Sequence, residues 1–68
     1  MSEIKLQITY GTATIFQREG DDYNKVEVAP RREGEDPMCY FLTDTELFDL
    51  ATAAEQFKVL LEIQEKEE

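Results

Sequence analysis

The chain has 68 residues, which suits one small domain, residues 1–68, with little material for a core. Its 16 acidic and 7 basic side chains give a formal net charge of −9, so the chain as a whole repels nucleic acid and anionic membranes. One cysteine and no histidine exclude an intramolecular disulfide and argue against a zinc site. With 41% hydrophobic residues, the sequence is too apolar for a disordered acidic tail.

The first residues, Met1 to Lys5, contain no apolar run typical of a signal peptide, and no stretch reaches transmembrane length. We therefore expect a cytoplasmic protein without membrane contact, in which Cys39 stays reduced. Because Cys39 lies within an apolar run, we interpret it as a buried structural thiol and not as a nucleophile.

Two strands are predicted at the start of the chain, over about residues 4–10 and 12–18. Apolar and polar residues alternate in the first, as is typical of a half-buried strand, and the second is rich in β-branched and aromatic residues. One continuous strand would be about 46 Å long, too long for so small a domain. We therefore expect a turn or a bulge at Tyr10-Gly11.

Two further strands are predicted over about residues 23–29 and 38–42. A Gly-Asp-Asp turn precedes the first, because glycine supplies positive φ and aspartates hydrogen-bond to their own backbone. The charged stretch 31–37 reads as an exposed loop. The second strand, Met-Cys-Tyr-Phe-Leu, is apolar throughout, which predicts a central strand or one that is buried on both faces.

The last third of the sequence predicts one helix over about residues 44–64, with fraying over 64–68. Thr43 and Glu46 have the spacing of a capping box, which satisfies backbone N–H groups at the helix start. Apolar residues at three- and four-residue steps form a main stripe that we expect to face the sheet. The main stripe consists of Leu47, Leu50, Ala51, Ala54, Phe57 and Leu61. The predicted fold is therefore α+β, an antiparallel meander of three to four strands packed by one C-terminal helix.

A second stripe, formed by Phe48, Val59 and Ile63, lies on another side of the predicted helix, about 100–160° from Leu47. One interpretation is a wide buried face that crosses a twisted sheet. The other is a surface patch that joins two copies of the chain or meets a different partner, which would help so small a domain. A monomer and a homodimer both remain open.

Catalysis and cofactor binding are not predicted. Without histidine, acid–base chemistry would need side chains with shifted pKa values in a pocket, and a chain this short has few walls to build one. The glycines are isolated and form no phosphate-binding loop. The loop carboxylates lack the oxygen spacing of a calcium loop, so we expect no metal site.

Direct contact with nucleic acid is a third hypothesis. Five basic residues and several aromatic rings lie in the strand region, and a meander followed by a helix looks like the fold of single-stranded-DNA-binding transcriptional coactivators in the order of its elements. However, residues 1–43 also hold eight acidic residues, so the strand region repels phosphates and we do not expect such contact.

The acidic residues themselves are the principal candidate site. On a helix, carboxylates one turn apart lie about 5–6 Å from each other, a spacing within a factor of two of that of DNA phosphates. Such a surface can occupy the nucleic-acid channel of another protein. The predicted partner-binding residues are Asp21, Asp22, Glu33, Glu35, Asp36, Asp44, Asp49, Glu55 and Glu62.

In its size, its charge and its lack of histidine, the chain resembles the small acidic inhibitors encoded by phages, which include anti-CRISPR proteins and other DNA mimics. The resemblance implies a non-enzymatic inhibitor that binds a basic, nucleic-acid-binding surface of a CRISPR effector or another nucleic-acid enzyme in the host cytoplasm. The alternative hypothesis is a small homodimeric interaction or adaptor module that uses Phe48, Val59 and Ile63. A single-stranded nucleic-acid-binding domain comes third.

Overall fold

The computed structural model describes residues 3–67, which form one four-stranded antiparallel sheet and one helix. The strands lie side by side in chain order, so the sheet is a meander. The predicted α+β fold is thus confirmed, and the strand ends differ from the prediction by one residue at most. The elements are β1 (Ile4–Tyr10), β2 (Ala13–Arg18), β3 (Asn24–Val28), β4 (Met38–Leu42) and α1 (Asp44–Glu67).

Strands β1 and β2 are joined by a two-residue turn, Gly11-Thr12, since Tyr10 pairs with Ala13. Gly11 has a φ of 59°, which matches a hairpin turn with glycine at its first central position, and among the described residues only glycines have positive φ. The connection is therefore a turn and not a bulge. The register of this hairpin does shift, but at its other end, between Ile4 and Leu6.

The strand register sorts the side chains onto two faces, because paired residues share a face and neighbours alternate. We call one the apolar sheet face. It consists of Leu6, Ile8, Tyr10, Ala13, Ile15, Gln17, Asn24, Val26, Val28, Met38, Tyr40 and Leu42. The opposite side is the polar sheet face, formed by Gln7, Thr9, Thr14, Phe16, Arg18, Lys25, Glu27, Cys39 and Phe41.

The helix begins with the predicted capping box. The Thr43 N–H donates to Glu46 Oε1 at 2.9 Å, and the Glu46 N–H donates to Thr43 Oγ1 at 3.2 Å. The helix continues to Glu67, three residues beyond the predicted end at about residue 64. Glutamate, glutamine and lysine are good helix formers, and Lys66 lies in the last turn, where a cation favours the helix dipole. Glu68 lies outside the described residues.

The helix does not lie across the sheet as expected. Leu47 is half-buried, but every residue from Phe48 to Lys66 is exposed. The cause is the connection: β4 ends at Leu42 and α1 starts at Asp44, so Thr43 alone separates them. One residue does not allow the chain to reverse over the sheet. The helix therefore extends away, and the Cα atoms span 51 × 32 × 15 Å.

The outer strands are more exposed than their sequences predict. All of β1 is exposed, whereas alternation predicts a half-buried strand, because within residues 3–67 only the first turn of the helix lies over the apolar sheet face. β4 is an edge strand and exposed up to Phe41, so its expected central or doubly buried position is wrong. Cys39 is likewise exposed and not buried, on the polar sheet face.

The core is correspondingly small. Phe16 and Val26 are the buried apolar residues among those that the structure describes, and they lie on opposite faces of the two central strands. The radius of gyration is 14.8 Å, whereas a compact domain of this length has about 11 Å. The chain thus has regular secondary structure but leaves most of its apolar surface in solvent.

Candidate interaction surfaces

Asn24 ties the helix start to the sheet. Its side-chain amide donates to Leu42 O at 3.2 Å and to Asp44 Oδ1 at 2.8 Å, and its oxygen accepts from Gln17 Nε2 at 3.2 Å. Asn24 is buried, so these bonds satisfy a polar group that would otherwise be costly on an apolar face. The asparagine therefore holds the first turn of α1 in a fixed position over one corner of the sheet.

An open cavity of about 490 Å³ lies between the apolar sheet face and this first turn. Leu6, Ile8 and Ile15 line it from the sheet, and Leu47 and Phe48 line it from the helix. Its walls are mainly apolar and hold no titratable group except Asp44, which already accepts a hydrogen bond from Asn24. The cavity therefore has the chemistry of an unfilled packing site and not that of a catalytic pocket.

The helix exposes apolar side chains on two sides. At 100° per residue, the main stripe is centred near Ala54 and Leu61, and the centre of the second stripe lies about 150° from it. Phe48 is 66% exposed and Ile63 49% exposed, so the second stripe is not part of a wide buried face within the chain. The main stripe is also exposed beyond Leu47. A helix with apolar residues on both sides normally packs on both sides.

Three of the predicted acidic residues form a row along the helix. Asp44, Glu55 and Glu62 lie within about 20° of one another on the wheel, in the sector between the two stripes. All three are exposed, and Glu55 and Glu62 contact no basic side chain in the part of the chain that the structure describes. We call them the acidic row. Asp49 is exposed as well, but it lies on the other side of the helix, about 120–140° from the row.

The loop carboxylates divide between the two ends of the sheet. Asp21 and Asp22 lie in the β2–β3 turn, at the end where the helix starts. The other three loop carboxylates, Glu33, Glu35 and Asp36, lie in the β3–β4 connection at the opposite end of the sheet, one strand length or about 17 Å away. There Glu35 lies 3.9 Å from Arg32. The nine predicted residues thus do not form one patch.

Two of the five basic residues of the strand region, Arg18 and Lys25, lie against aromatic rings of the polar sheet face. Arg18 and Lys25 stand 5.5 and 5.4 Å from the centre of the Phe16 ring. Lys25 also lies 6.0 Å from the Phe41 ring and 3.2 Å from Glu27 Oε1. The Phe16 ring is therefore covered by the chain's own cations, which leaves it unavailable for stacking with a base.

Comparison of the chain with protein-family models, with curated proteins and with solved structures finds no match in any of the three. Within residues 3–67, the helix is not long and apolar enough to cross a membrane. The same residues hold no group of three or more cysteine or carboxylate side chains placed to bind a metal ion. The functional inference therefore rests on the surfaces described above. Sequence reasoning missed the role of Asn24 and the exposure of the sheet face, since neither has a local sequence signal.

Proposed function

We propose that this protein is a non-enzymatic inhibitor that binds a basic, nucleic-acid-binding surface of another protein through the acidic row of its helix. A CRISPR effector or another nucleic-acid enzyme in the cytoplasm has the required kind of surface. In this proposal the carboxylates take the place of nucleic-acid phosphates, and steering by the net charge of −9 brings the two proteins together rapidly.

The observation that carries the proposal is the exposure of the acidic row on a helix that extends away from the sheet. Asp44, Glu55 and Glu62 are spaced over about 27 Å of helix, at 1.5 Å per residue. A row of carboxylates of this length can face the basic wall of a channel built for nucleic acid. Asp21 and Asp22 lie at the same end of the sheet as the start of the helix and extend the acidic surface.

A second candidate function is a hydrophobic interaction module, in which the carboxylates only keep the protein in solution. The exposure of Phe48 and Ile63 favours it, because large apolar side chains grouped on one side of a helix commonly mark a binding surface. The two candidates differ in the forces that hold the partner: charge in the first, apolar burial in the second.

The test uses a purified RNA-guided CRISPR nuclease and a panel of other nucleic-acid enzymes, with fluorescent duplex DNA as competitor. We expect the protein to displace the DNA from one of them, with an affinity that falls about tenfold or more between low and high salt. Glu55→Lys with Glu62→Lys should abolish displacement. Lys58→Glu with Lys66→Glu, on the same helix, should strengthen it or leave it unchanged.

Circular dichroism of each variant checks that the helix is intact, since these residues are exposed and contribute little to stability. Binding that tolerates the Glu55 and Glu62 reversals but fails on Phe48→Glu or Ile63→Glu would contradict the acidic inhibitor and favour the hydrophobic module.

A further inference from the structure

We infer that a second copy of this chain covers the apolar sheet face and the helix, in a symmetric dimer where each helix packs on the partner's sheet and on the partner's helix. This inference does not rest on the proposed function. It concerns apolar surfaces that Glu55 and Glu62 of the acidic row do not use.

The exposed area indicates how much surface a partner has to cover. The chain exposes 6217 Å², whereas a folded monomer of 7.9 kDa exposes roughly 4,400 Å². The excess is therefore roughly 1,800 Å² per chain. Two chains that each bury this excess form an interface of roughly 3,600 Å², which lies within the range of about 2,000–5,000 Å² for obligate homodimers.

The two uncovered surfaces are complementary to each other. The sheet has an apolar face that lacks a helix, and the helix has an apolar stripe that lacks a sheet. From Leu50 to Leu61 the main stripe is about 16 Å long, and strands of five to seven residues are about 17–23 Å long. In a dimer with two-fold symmetry, the helix of each chain packs on the sheet of the other, because each chain supplies one sheet and one helix.

The chain cannot make this contact with itself. Thr43 is the only residue between β4 and α1, and Asn24 holds Asp44 at 2.8 Å, so the direction of the helix is fixed by the sheet. The helix consequently carries its main stripe past the sheet that precedes it. A second copy is the occupant that offers the missing partner for both surfaces without any further protein.

The position of the second stripe completes the arrangement. Its centre lies about 150° from that of the main stripe, so a helix whose main stripe covers the partner's sheet presents Phe48, Val59 and Ile63 on its other side. In a symmetric dimer those residues meet their own copies from the partner's helix. Glu55 and Glu62 lie between the stripes and remain at the rim, so the dimer leaves these two carboxylates of the acidic row exposed.

Sedimentation of the full chain tests the inference. We expect twice the 7.9 kDa mass of the chain at micromolar concentration. Because each chain carries a net charge of −9, added salt should leave the dimer intact or strengthen it, opposite to its effect on an acidic contact. A mass of one chain at millimolar concentration and high salt would overturn the inference. It would do so even if another protein covered these faces.

Two adjacent β1 residues give a matched pair of variants. Ile8→Glu places a charge on the apolar sheet face and should weaken dimerisation at least 100-fold, whereas Gln7→Glu, on the polar sheet face, should leave it unchanged. Equal dimerisation of the two variants would refute the interface. Glu55→Lys with Glu62→Lys should keep the dimer mass, so failure of the proposed function and failure of the dimer are distinguishable.

An isotope-filtered NOE experiment on the unmodified protein covers the case in which Ile8→Glu does not fold. A mixture of ¹³C-labelled and unlabelled chains should show contacts between chains from the Ile8 and Ile15 methyl groups to the Phe57 ring and the Leu61 methyl groups. The same contacts within one chain only would mean that the helix folds back on its own sheet. That result, or a dimer without these contacts, would overturn the exchange of helices.

Discussion

Two large apolar side chains on opposite faces of the sheet, Phe16 and Ile8, differ greatly in exposure. On the polar sheet face, Phe16 is 9% exposed because Arg18 and Lys25 lie over its ring. On the apolar sheet face, Ile8 is 65% exposed, although its neighbours across the strands are apolar. Long charged side chains can cover a ring with their stems while their heads stay in water, whereas aliphatic residues need another element above them.

The difference shows which part of the fold is complete within one chain. On the polar sheet face, side chains of the sheet itself cover Phe16, although Phe41 on the edge strand β4 is 65% exposed. On the apolar sheet face, the first turn of α1 covers only the corner at Asn24, and Leu6 and Ile8 of β1 stay exposed. Substitutions on the two faces should therefore change the free energy of unfolding by different amounts. The difference between these amounts measures how far the apolar sheet face is buried in solution.

The largest effect is expected for a charge at the centre of the apolar sheet face. Ile15 is half-buried in the single chain and would be covered fully in the proposed dimer. Ile15→Lys should therefore lower the free energy of unfolding by about 3 kcal/mol or more, because it removes apolar contacts and leaves an unpaired ammonium group in their place. Thr14→Lys, one residue away on the polar sheet face, lies opposite Glu27 and should change the free energy of unfolding by less than about 1 kcal/mol. Urea unfolding followed by circular dichroism measures both.

Equal stability of Ile15→Lys and Thr14→Lys would contradict the expected difference between the two sheet faces. Such a result would mean that the apolar sheet face stays in solvent under the conditions used, and that Ile15 is no more covered in solution than in the isolated chain.

A smaller effect is expected at Asn24, the buried polar residue of the apolar sheet face. Asn24→Asp removes the amide donor to Leu42 O and places a carboxylate beside Asp44, so the free energy of unfolding should fall by about 2–3 kcal/mol. Adding Asp44→Asn restores a donor between the two side chains and should recover about 1 kcal/mol. Thermal unfolding of the single and double variants measures the recovery. If the double variant were no more stable than Asn24→Asp, the bond between residues 24 and 44 would be unimportant.

The smallest effect is expected for the cover of the polar sheet face. Lys25→Ala should cost about 1 kcal/mol, since it uncovers Phe16 and removes both the stem and the cation. Lys25→Met keeps most of the stem and should cost about half as much. Denaturant unfolding resolves the two if the slopes are equal. A larger loss for methionine than for alanine would show that the stem does not cover the ring.

The elements of this fold are predictable from the sequence because each has a local cause. Alternation indicates β1 and β3, Gly11 supplies the positive φ of the first hairpin, and the Thr43–Glu46 capping box sets the helix start to the residue. These signals act within a few residues, so they are the same whether or not the chain has a partner.

The placement of the helix is not predictable in this way. The main stripe indicates that α1 packs on something apolar, but periodicity does not specify whether that surface belongs to the same chain. The prediction that β4 is central or buried on both faces is wrong for the same reason. An apolar run looks the same in a central strand and in an edge strand whose faces are exposed in the single chain. Within the candidate site, the exposure of the helix carboxylates follows from their residue type and is predictable. The separation of Asp21 and Asp22 from the carboxylates of the β3–β4 connection is not, because it depends on the hairpin geometry.

The order of the strands has a kinetic consequence. Because β1 to β4 pair with their neighbours in sequence and the helix forms on its own hydrogen bonds, nearly all structure within one chain comes from local contacts, which form rapidly. Burial of the apolar sheet face in the proposed dimer requires a collision between two chains instead. Secondary structure should thus appear at a rate independent of concentration, before a slower, second-order phase in which the apolar surface leaves water. At low expression the chain spends longer in the open form, where its exposed aliphatic residues are within reach of chaperones and proteases.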